Sequence, residues 1–434
     1  MKFSIDTMGC QMNKADSERV AGALLATGWS EADSMDQADM VLVNGCVVRA
    51  KAEQKALLRV RELLQRQRPP KVGLIGCAAQ WRGAGLFREL PALHLMVSPS
   101  RLDELPSIAS EGGCLLGESE LRSPGTVIRR RSGIKAWIPV MHGCDHGCTF
   151  CVVPQTRGHE TSLPPPHVMR IASEAVRAGH VELDLLGQRV SAYRYRGVTF
   201  AALVQQLALM AGVKRIRFTA PYPADVGDDL LQIMADSRVV EHRLHLPLQS
   251  GSDRVLARMG RGYTVSEYMG IVERGRSLMP DFGLSTDIIV GFPGETEADY
   301  ATTERLVRDA EFDTAFTFMF SPRAGTPAAA MDGQIPHYVK KERLARLISV
   351  LHDTLERRLA NFVGTTMEVL VERLDESTGD HSVGKASNGR VVAIAGRHAA
   401  GELVTVKVTG LQGHTLNAVP VDEGGQRCGL SVGS

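Results

Sequence analysis

Short apolar runs alternate with amphipathic stretches along the N-terminal quarter of the chain. The apolar runs lie at 3–5, 41–43 and 72–75, and helical patterns separate them at 16–27 and 51–67. Alternation of this kind is typical of a parallel sheet whose strands are joined by crossover helices. The pattern therefore predicts an open parallel α/β domain over residues 1–115.

A second series of apolar runs follows a connector at 111–132, which lacks hydrophobic periodicity. Strands are predicted at 136–141, 183–186, 216–219, 244–248, 284–290 and 315–320. About six β/α units make a partial barrel, because a closed barrel of this type needs about eight. We predict this barrel domain over 133–360, with a long charged helix at 338–362.

The last part of the chain contains short apolar runs separated by Gly, Asn and Asp. They lie at 366–371, 382–386, 391–394, 403–408 and 416–419. Strands so short and closely spaced predict a small antiparallel β-barrel over 361–422. The whole chain is therefore expected to be of the α/β class, with an open sheet, a partial barrel and a small closed barrel in that order.

Neither a membrane span nor a secretory signal is visible in the sequence. No apolar run approaches the roughly 18 residues that cross a bilayer, and residues 1–6 lack the apolar core of a signal. We therefore expect a cytoplasmic protein with no membrane partner. In that reducing compartment, eight cysteines indicate metal ligation or reactive thiols rather than disulfides.

The charge balance excludes a general electrostatic attraction to nucleic acid, because the formal net charge is only +1 with 23% charged residues. Residues 361–434 contain six Lys or Arg and eight Asp or Glu, a net charge of about −2, whereas RNA-binding modules usually carry a basic surface. Three other basic groups are candidates for RNA contact, or else solvated surface residues. These groups are 129–131; Arg189, Arg194 and Arg196; and Lys214, Arg215 and Arg217.

Cys144, Cys148 and Cys151 lie in one tight loop directly after a predicted strand. Three thiolates at this spacing suit three corners of a [4Fe-4S] cube and leave the fourth iron open. An open iron can chelate the amino and carboxylate groups of S-adenosylmethionine (SAM) for reductive cleavage to a 5'-deoxyadenosyl radical. The spacing therefore predicts a radical SAM enzyme. The alternative is a zinc site completed by His142 or His146.

Cys10, Cys46 and Cys77 each follow one of the first three predicted strands within a few residues. Loops at the carboxyl ends of parallel strands share one edge of the sheet, so these cysteines can meet in space. They predict a second iron-sulfur cluster with its own open iron, the alternative being three unrelated core thiols. Cys114 and Cys428 match neither set and are interpreted as non-ligands.

Sequence motifs spread over nearly the whole chain resemble one known family. They include GCQMN at 9–13, KAEQK at 51–55, GCAAQ at 76–80, CTFCVVP at 148–154, TRG at 156–158, LPLQSGS at 246–252 and STDIIVGFPGET at 285–296. On these motifs the chain resembles the methylthiotransferases of the radical SAM superfamily, and within them the tRNA-modifying MiaB group.

This resemblance implies a role for each domain. The N-terminal domain would carry an auxiliary [4Fe-4S] cluster on Cys10, Cys46 and Cys77, the partial barrel would carry the radical SAM cluster, and the terminal barrel would be a TRAM-like RNA-binding domain. One SAM would methylate sulfur at the auxiliary cluster, and a second would yield the radical. The radical would attack C2 of N6-isopentenyladenosine beside the anticodon of tRNA. The implied partners are the tRNA anticodon stem-loop and an electron donor such as flavodoxin or ferredoxin, and the chain is expected to be a monomer.

Several residues near the ends of predicted barrel strands are candidates for SAM binding. Those that follow strands are Gly187, Gln188, Gln249, Ser250, Gly291 and Glu295. Glu182, just before its strand, is expected to meet the methionyl ammonium. The alternative for each is ordinary turn chemistry.

The sequence departs from the family pattern near the second auxiliary cysteine, where Gly45 replaces the usual threonine. The lost hydroxyl is expected to alter hydrogen bonding around the cluster. Two other functions stay open at this point: a methylthiotransferase for threonylcarbamoyl-adenosine in tRNA or for a ribosomal protein aspartate, and, from another class, a non-catalytic iron-sulfur RNA-binding protein.

Overall fold

The structure, a computed structural model, describes residues 1–119, 128–376 and 379–421. The middle of the connector, the terminal tail and Cys428 lie outside the described residues. The predicted α/β class, with an open parallel sheet, a partial barrel and a small closed barrel, is confirmed. No helix in the described ranges is long and apolar enough to cross a membrane.

The N-terminal sheet has six parallel strands in the order β2-β1-β3-β4-β5-β6. The strands are β1 (Lys2–Met8), β2 (Ser30–Glu31), β3 (Met40–Gly45), β4 (Lys71–Ile75), β5 (Leu95–Val97) and β6 (Gly113–Leu115). The helices around it are α1 (Gln11–Ala26), α2 (Ala50–Leu64), α3 (Cys77–Arg82), α4 (Leu86–Glu89) and α5 (Leu105–Ile108). Its two faces carry separate hydrophobic clusters, as expected of a parallel sheet covered on both sides.

Helix α1 begins five residues before the helical pattern seen in the sequence, at Gln11 rather than residue 16. The apolar residues of its first turns, Met12 and Ala15, pack against Leu186 and Trp137 of the barrel domain rather than against their own sheet. Because that contact belongs to another domain, the first turn does not continue the apolar stripe of α1. The first turn of α1 is therefore part of the interface between the two domains.

The barrel domain contains two three-stranded parallel sheets, β13-β10-β7 and β14-β15-β16, which leave β7 and β16 as edges. A parallel bridge between Ile216 of β13 and Val240, three residues before β14, brings the two sheets side by side as a six-stranded partial barrel. The strands of this domain are β7 (Lys135–Pro139), β8 (Met141–His142), β9 (Thr161–Ser162), β10 (Glu182–Leu186), β11 (Arg194–Tyr195), β12 (Val198–Thr199), β13 (Arg215–Phe218), β14 (Arg243–His245), β15 (Gly283–Val290) and β16 (Thr314–Met319). The helices are α6 (Val153–Arg157), α7 (Pro165–Arg177), α8 (Phe200–Ala208), α9 (Asp228–Asp236), α10 (Asp253–Arg258), α11 (Val265–Leu278), α12 (Glu297–Ala310) and α13 (His337–Ala360).

Helix α13 leads into a closed barrel with the strand order β17-β18-β19-β21-β20. The strands are β17 (Thr366–Leu374), β18 (His381–Ala386), β19 (Val391–Ala395), β20 (Leu403–Gln412) and β21 (Thr415–Pro420). Four pairings are antiparallel as predicted, and the pairing of β19 with β21 is parallel. Closure of the barrel removes free strand edges, which short strands would otherwise expose.

Candidate functional site

The structure brings Cys10, Cys46 and Cys77 to the same edge of the N-terminal sheet. Cys10 precedes α1, Cys46 directly follows β3, and Cys77 is the first residue of α3 after β4. Strands β1, β3 and β4 are neighbours and parallel, so their carboxyl ends coincide. A hydrogen bond with Cys46 is the main reason that the pKa of Cys10 is lowered to about 6, and burial raises the pKa of Cys77. The three thiols therefore form one cluster.

Two asparagines hold the three cysteine loops together. Asn13 donates to Asn44 Oδ1 at 2.7 Å, and Asn44 donates to the Asn13 carbonyl at 2.8 Å and to Ser17 Oγ at 2.9 Å. The third loop approaches this pair through Gly76, whose φ is +81° and whose position leaves no room for a Cβ, which would lie 2.3 Å from Asn44 Oδ1. Asn13 also accepts from the Cys10 thiol at 3.2 Å. The side-chain amides of Asn13 and Asn44 thus hold the three cysteine loops in fixed positions relative to one another.

The glycine that replaces the usual threonine at position 45 is explained by packing. A Cβ on Gly45 would lie 2.6 Å from the Ala78 Cβ and 3.0 Å from the Ala56 Cβ. Helices α2 and α3 therefore approach β3 too closely for a side chain here. Because position 45 faces these helices, helix packing explains the glycine. The structure gives no support for the expected change in hydrogen bonding around the cluster.

Cys144, Cys148 and Cys151 lie in the loop between β8 and α6, at the carboxyl end of the first barrel strand. The loop is folded on itself by bonds from Cys144 N to Gly158 O at 3.2 Å and from Cys151 N to Cys148 O at 3.1 Å. Thr149 N donates to Met259 O at 2.9 Å and attaches the loop to the end of α10. Burial raises the pKa of Cys144, and raises that of Cys151 to about 12.

An arginine that the sequence did not single out contacts this loop directly. Arg261 Nη1 donates to Cys148 Sγ at 3.1 Å. Its guanidinium stacks on the rings of Tyr222 and Tyr263, with the Arg261 Cζ at 4.5 Å and 5.1 Å from the two ring centroids. In the sequence, only the position of Arg261 between Gly260 and Gly262 sets it apart from other arginines. Its contact with Cys148 joins residues 113 positions apart, so the sequence could not predict it.

A second arginine joins the two cysteine sets. Arg157, six residues after Cys151, pairs with Asp16 Oδ2 at 2.7 Å, and Asp16 lies six residues after Cys10. Both side chains are nearly inaccessible to solvent, at 4% and 1% exposure. The positive charge of Arg157 contributes to the lowered pKa of Cys10 and partly opposes the burial that raises the pKa of Cys77. The two domains therefore meet where their cysteine loops face each other.

Two of the predicted SAM-binding residues have polar atoms without a partner in the described structure. The amide oxygens of Gln188 and Gln249 are buried and accept no hydrogen bond. Gln249 also has a φ of +74°, which is unusual for a residue with a side chain. Gly187 is tightly packed against Met141 and forms the turn that carries Gln188. Buried acceptors of this kind need a donor, and a ligand can supply one.

Three other predicted residues are already engaged within the protein. Ser250 Oγ contacts Thr303 Oγ1 at 3.4 Å, and Glu295 Oε2 accepts from Gly291 N at 2.7 Å and from Arg343 Nη1 at 2.7 Å. These bonds hold the loop after β15 against α13. These bonds are the kind that the turn-chemistry alternative expects, and a role of Ser250, Gly291 and Glu295 in SAM binding stays a prediction.

Glu182 does not lie with the other predicted residues. It is the first residue of β10 and thus lies at the opposite end of the strand from Gln188. Its carboxylate is fully buried and pairs with Lys135 Nζ at 3.0 Å and Arg217 Nε at 3.2 Å. The expectation that Glu182 meets the methionyl ammonium is incompatible with this position, because the cysteine loop is at the carboxyl end of the strands.

We expect Gln188→Ala and Gln249→Asn to weaken SAM binding about tenfold each, since a hydrogen bond to a charged ligand contributes roughly 1.5–3 kcal/mol. Asparagine is chosen at 249 because it tolerates a positive φ. Glu182→Gln is the control and is expected to lower the melting temperature while leaving SAM affinity unchanged. Anaerobic equilibrium dialysis with labelled SAM measures the affinities. A Glu182→Gln variant that loses SAM binding would restore its predicted role.

Two of the three basic groups proposed for RNA contact form ion pairs or hydrogen bonds with other parts of the chain. Arg131 pairs with Glu31 at 2.5 Å, and Arg130 lies beside buried Glu18, so the 129–131 run holds the connector to the N-terminal domain. Lys214 donates to Gly401 O at 2.8 Å and Arg215 donates to Lys385 O, so this group joins the two barrels. Arg215 and Arg217 are buried and unavailable to RNA, whereas Arg129 and Arg131 keep side-chain exposures of 56% and 40% and remain candidates for RNA contact. In the third group, Arg189 pairs with Asp225, and Arg194 and Arg196 remain exposed.

An aromatic wall, consisting of Phe316, Phe318 and His245, lines the inner side of the partial barrel near its open edge. Phe316 is 45% exposed although it is a large apolar residue, and the His245 ring lies 5.8 Å from it. Phe318 is covered by Arg49, whose Cζ lies 4.5 Å from the ring centroid. Arg49 follows Cys46 by three residues, so the wall contacts the segment that leads out of the second auxiliary cysteine loop. Aromatic and guanidinium faces of this kind bind unstacked RNA bases.

The donor chemistry of both cysteine sets fits iron-sulfur clusters. Each set offers three soft thiol ligands at a loop edge, the ligand type that such clusters use. No three His, Cys, Asp or Glu side chains in the described ranges are arranged to share one metal ion. A cube places each thiolate on a different corner iron, which requires wider spacing than one shared ion. The zinc alternative is therefore not supported.

Family models match three successive parts of the chain. They are "Uncharacterized protein family UPF0004" over residues 2–98, "Radical SAM superfamily" over 138–307 and "TRAM domain" over 360–421. Among solved structures, the radical S-adenosylmethionine methyltransferase TsrM from Kitasatospora setae superposes with a TM-score of 0.56 at 13% identity, over 76% of this chain and 77% of that one. At that identity the likeness concerns the fold alone.

Full-length relatives are more similar in sequence. The tRNA-2-methylthio-N(6)-dimethylallyladenosine synthase of Clostridium novyi is 36% identical, with 94% of each chain covered. The enzyme of the same name from Thermodesulfovibrio yellowstonii is 37% identical over 95% of this chain and 97% of its own. That from Aquifex aeolicus is 37% identical over 94% and 96%.

Proposed function

Because this chain belongs to the tRNA-2-methylthio-N(6)-dimethylallyladenosine synthase family of radical SAM enzymes, we propose that it adds a methylthio group to C2 of N6-isopentenyladenosine in tRNA. The resemblance inferred from the sequence motifs is thereby confirmed. The relatives match over nearly the full length of both chains.

The observation that carries this proposal is the juxtaposition of two three-cysteine sets on facing domains. Cys144, Cys148 and Cys151 would hold the radical SAM cluster, and Cys10, Cys46 and Cys77 the auxiliary one. When bound, the first cluster supplies the electron for reductive cleavage of SAM and the second supplies an iron site for sulfur. A methylthio transfer needs both functions beside one substrate carbon, and a structural iron-sulfur protein needs neither.

The residues of this chain position the reactants and exclude water. The ion pair of Arg157 with Asp16 holds the two cysteine loops against each other, and its burial keeps solvent out of the seam. Gln188 and Gln249 would orient SAM through their unpartnered amide oxygens. Reaction at an unactivated C–H carbon depends on holding the partners at near-attack distance, so rigid placement of this kind is the main contribution of the protein.

The aromatic wall supports a nucleoside substrate. Phe316 offers an exposed ring face to a base turned out of the anticodon loop, and Arg49 with Phe318 adds a cationic surface beside it. The exposed side chain of Val48, next to Arg49, offers an apolar contact for an isopentenyl substituent. The TRAM domain and exposed Arg194 and Arg196 would contact the RNA outside the cleft.

We further propose that the chain works as a cytoplasmic monomer and takes its electrons from a small carrier such as flavodoxin or ferredoxin. Radical generation from SAM requires a one-electron reductant, which a low-potential carrier of this kind supplies. The carrier would have to reach the cysteine loop at the carboxyl end of the barrel strands.

Mass spectrometry of tRNA nucleosides tests the function. A strain that lacks the gene is expected to accumulate N6-isopentenyladenosine and to contain no 2-methylthio derivative, and expression of the wild-type chain should restore that derivative. A Phe316→Ala chain is expected to restore it poorly, since stacking on an aromatic side chain contributes about 1–3 kcal/mol per base. Unchanged 2-methylthio-isopentenyladenosine in the deletion strain would exclude the proposed substrate.

A further inference from the structure

Every hydrogen-bonding edge of the Arg261 guanidinium is directed to a specific acceptor. Nη1 donates to Cys148 Sγ at 3.1 Å, Nη2 to Pro247 O at 3.3 Å, and Nε to Tyr263 Oη at 3.0 Å. A planar guanidinium with hydrogen bonds from all three nitrogens has little freedom to change its orientation. The contact with Cys148 is therefore a fixed feature of the loop and not a chance approach of a long side chain.

Aromatic rings also pack against the same guanidinium. The Tyr222 ring is also contacted by His146, with ring centroids 4.3 Å apart, and by Arg189, whose Cζ lies 4.8 Å from the ring. Tyr222 Oη accepts from Gly262 N at 2.8 Å, next to Arg261 in the chain. Arg261 thus packs beside two tyrosine rings that contact each other, with centroids 5.5 Å apart, and this group lies next to one ligand of the candidate cluster.

The other two cysteines of the loop lack such a contact. Cys151 Sγ accepts only from the backbone of Val153 at 3.4 Å, and no arginine or lysine nitrogen in the described ranges donates to Cys144 or Cys151. Within the described ranges, a charged side chain thus donates a hydrogen bond to one of the three sulfurs, that of Cys148. Reduction adds negative charge to an iron-sulfur cluster, so a cationic N–H donor at one sulfur favours the reduced state.

We propose that Arg261 sets the reduction potential of the barrel cluster through its hydrogen bond to Cys148. Arg261 touches neither substrate nor SAM in this proposal and acts only through Cys148. It raises the reduction potential of the cluster enough for a protein electron carrier to reduce it. The inference rests on the proposed function, because it requires that Cys144, Cys148 and Cys151 hold a cluster.

The test uses a full-length chain in which Cys10, Cys46 and Cys77 are alanine, so that the barrel cluster is the only one present. Arg261→Gln and Arg261→Lys are introduced into it, the first removing the charge and the second keeping the charge without the fork. Arg254→Gln is the matched control, because Arg254 lies on α10 close by in sequence but pairs with Asp299 instead of a cysteine. Anaerobic redox titration followed by electron paramagnetic resonance gives each midpoint potential.

We expect Arg261→Gln to shift the midpoint potential to a more negative value and to change the signal of the reduced cluster, with Arg261→Lys shifted less and Arg254→Gln unshifted. With flavodoxin as reductant, formation of 5'-deoxyadenosine should fall about tenfold in Arg261→Gln, the usual scale of effects from residues behind a metal ligand. With dithionite in excess, it should stay close to the parent rate.

A midpoint potential in Arg261→Gln equal to that of the parent would overturn the inference. If Arg261→Gln does not retain iron, Arg261→Lys decides: an unshifted potential there assigns Arg261 a structural role only, and a negative shift supports the redox role. A parent chain that binds no iron at all would instead refute the proposed function, so the two failures are distinguishable.

Discussion

Replacing Cys10, Cys46 and Cys77 together by alanine is expected to halve the iron content of the reconstituted chain, from about eight atoms to about four. The three thiols form one cluster at the edge of the N-terminal sheet, so their removal should abolish one iron site and spare the other. SAM cleavage to 5'-deoxyadenosine should continue, because the barrel loop is untouched. Methylthio insertion into tRNA should be lost.

The reciprocal variant, with alanine at 144, 148 and 151, should retain about four irons and lose SAM cleavage. Cys114→Ala is the matched control, since Cys114 is an exposed cysteine on β6 that belongs to neither set. Iron and sulfide counts with product analysis by liquid chromatography decide the outcome. An auxiliary variant with undiminished iron would contradict the assignment of the second site.

Asn44→Ala is expected to remove the auxiliary iron selectively, although Asn44 is not itself a ligand. Its amide group bonds to Asn13 and Ser17 and stands against Gly76, so it links all three cysteine loops. Truncation leaves the buried Asn13 amide without its acceptor, which costs roughly 1–3 kcal/mol of unfolding free energy. The three loops are then no longer held in fixed positions relative to one another, and the iron content should approach that of the triple cysteine variant.

The control for this variant is Asn388→Ala. Asn388 is equally buried, accepts from Arg390 N at 3.3 Å, and lies in the terminal barrel away from both cysteine sets. It should lower the melting temperature to a similar extent and leave the iron content unchanged. Equal loss of iron from both variants would mean that the effect is general destabilisation and not placement of the loops.

Local patterns in the sequence were sufficient for the elements and for most ligand candidates. The three strand-end cysteines could be grouped from sequence, because parallel neighbouring strands bring their carboxyl ends to one edge. The loop at 144–151 needed only its spacing. The closed terminal barrel followed from its short strands. In each case the information lies within a few residues, or in a rule of topology that holds for all parallel sheets.

The partners of charged side chains could not be inferred in this way. Arg157 meets Asp16 across 141 residues, and Arg131 meets Glu31 across 100. A basic run has the same appearance in sequence whether it faces RNA or a carboxylate of another domain. For that reason the groups at 129–131 and at 214, 215 and 217 were interpreted either as candidates for RNA contact or as solvated surface residues. The structure shows that members of both groups bond to other parts of the chain.

The sequence by itself determined the α/β class, the two cysteine sets and the family to which the chain belongs. Only the tertiary structure decided that Glu182 lies at the wrong end of its strand for SAM, that Gly45 is demanded by α2 and α3, and that Arg261 contacts Cys148. The physical reason is that hydrophobic periodicity and ligand spacing are local properties, whereas a hydrogen-bond partner is fixed by how separate elements pack. Local spacing is therefore enough to find the candidate cluster ligands. The residues that hydrogen-bond to those ligands can be found only from the packing of the elements.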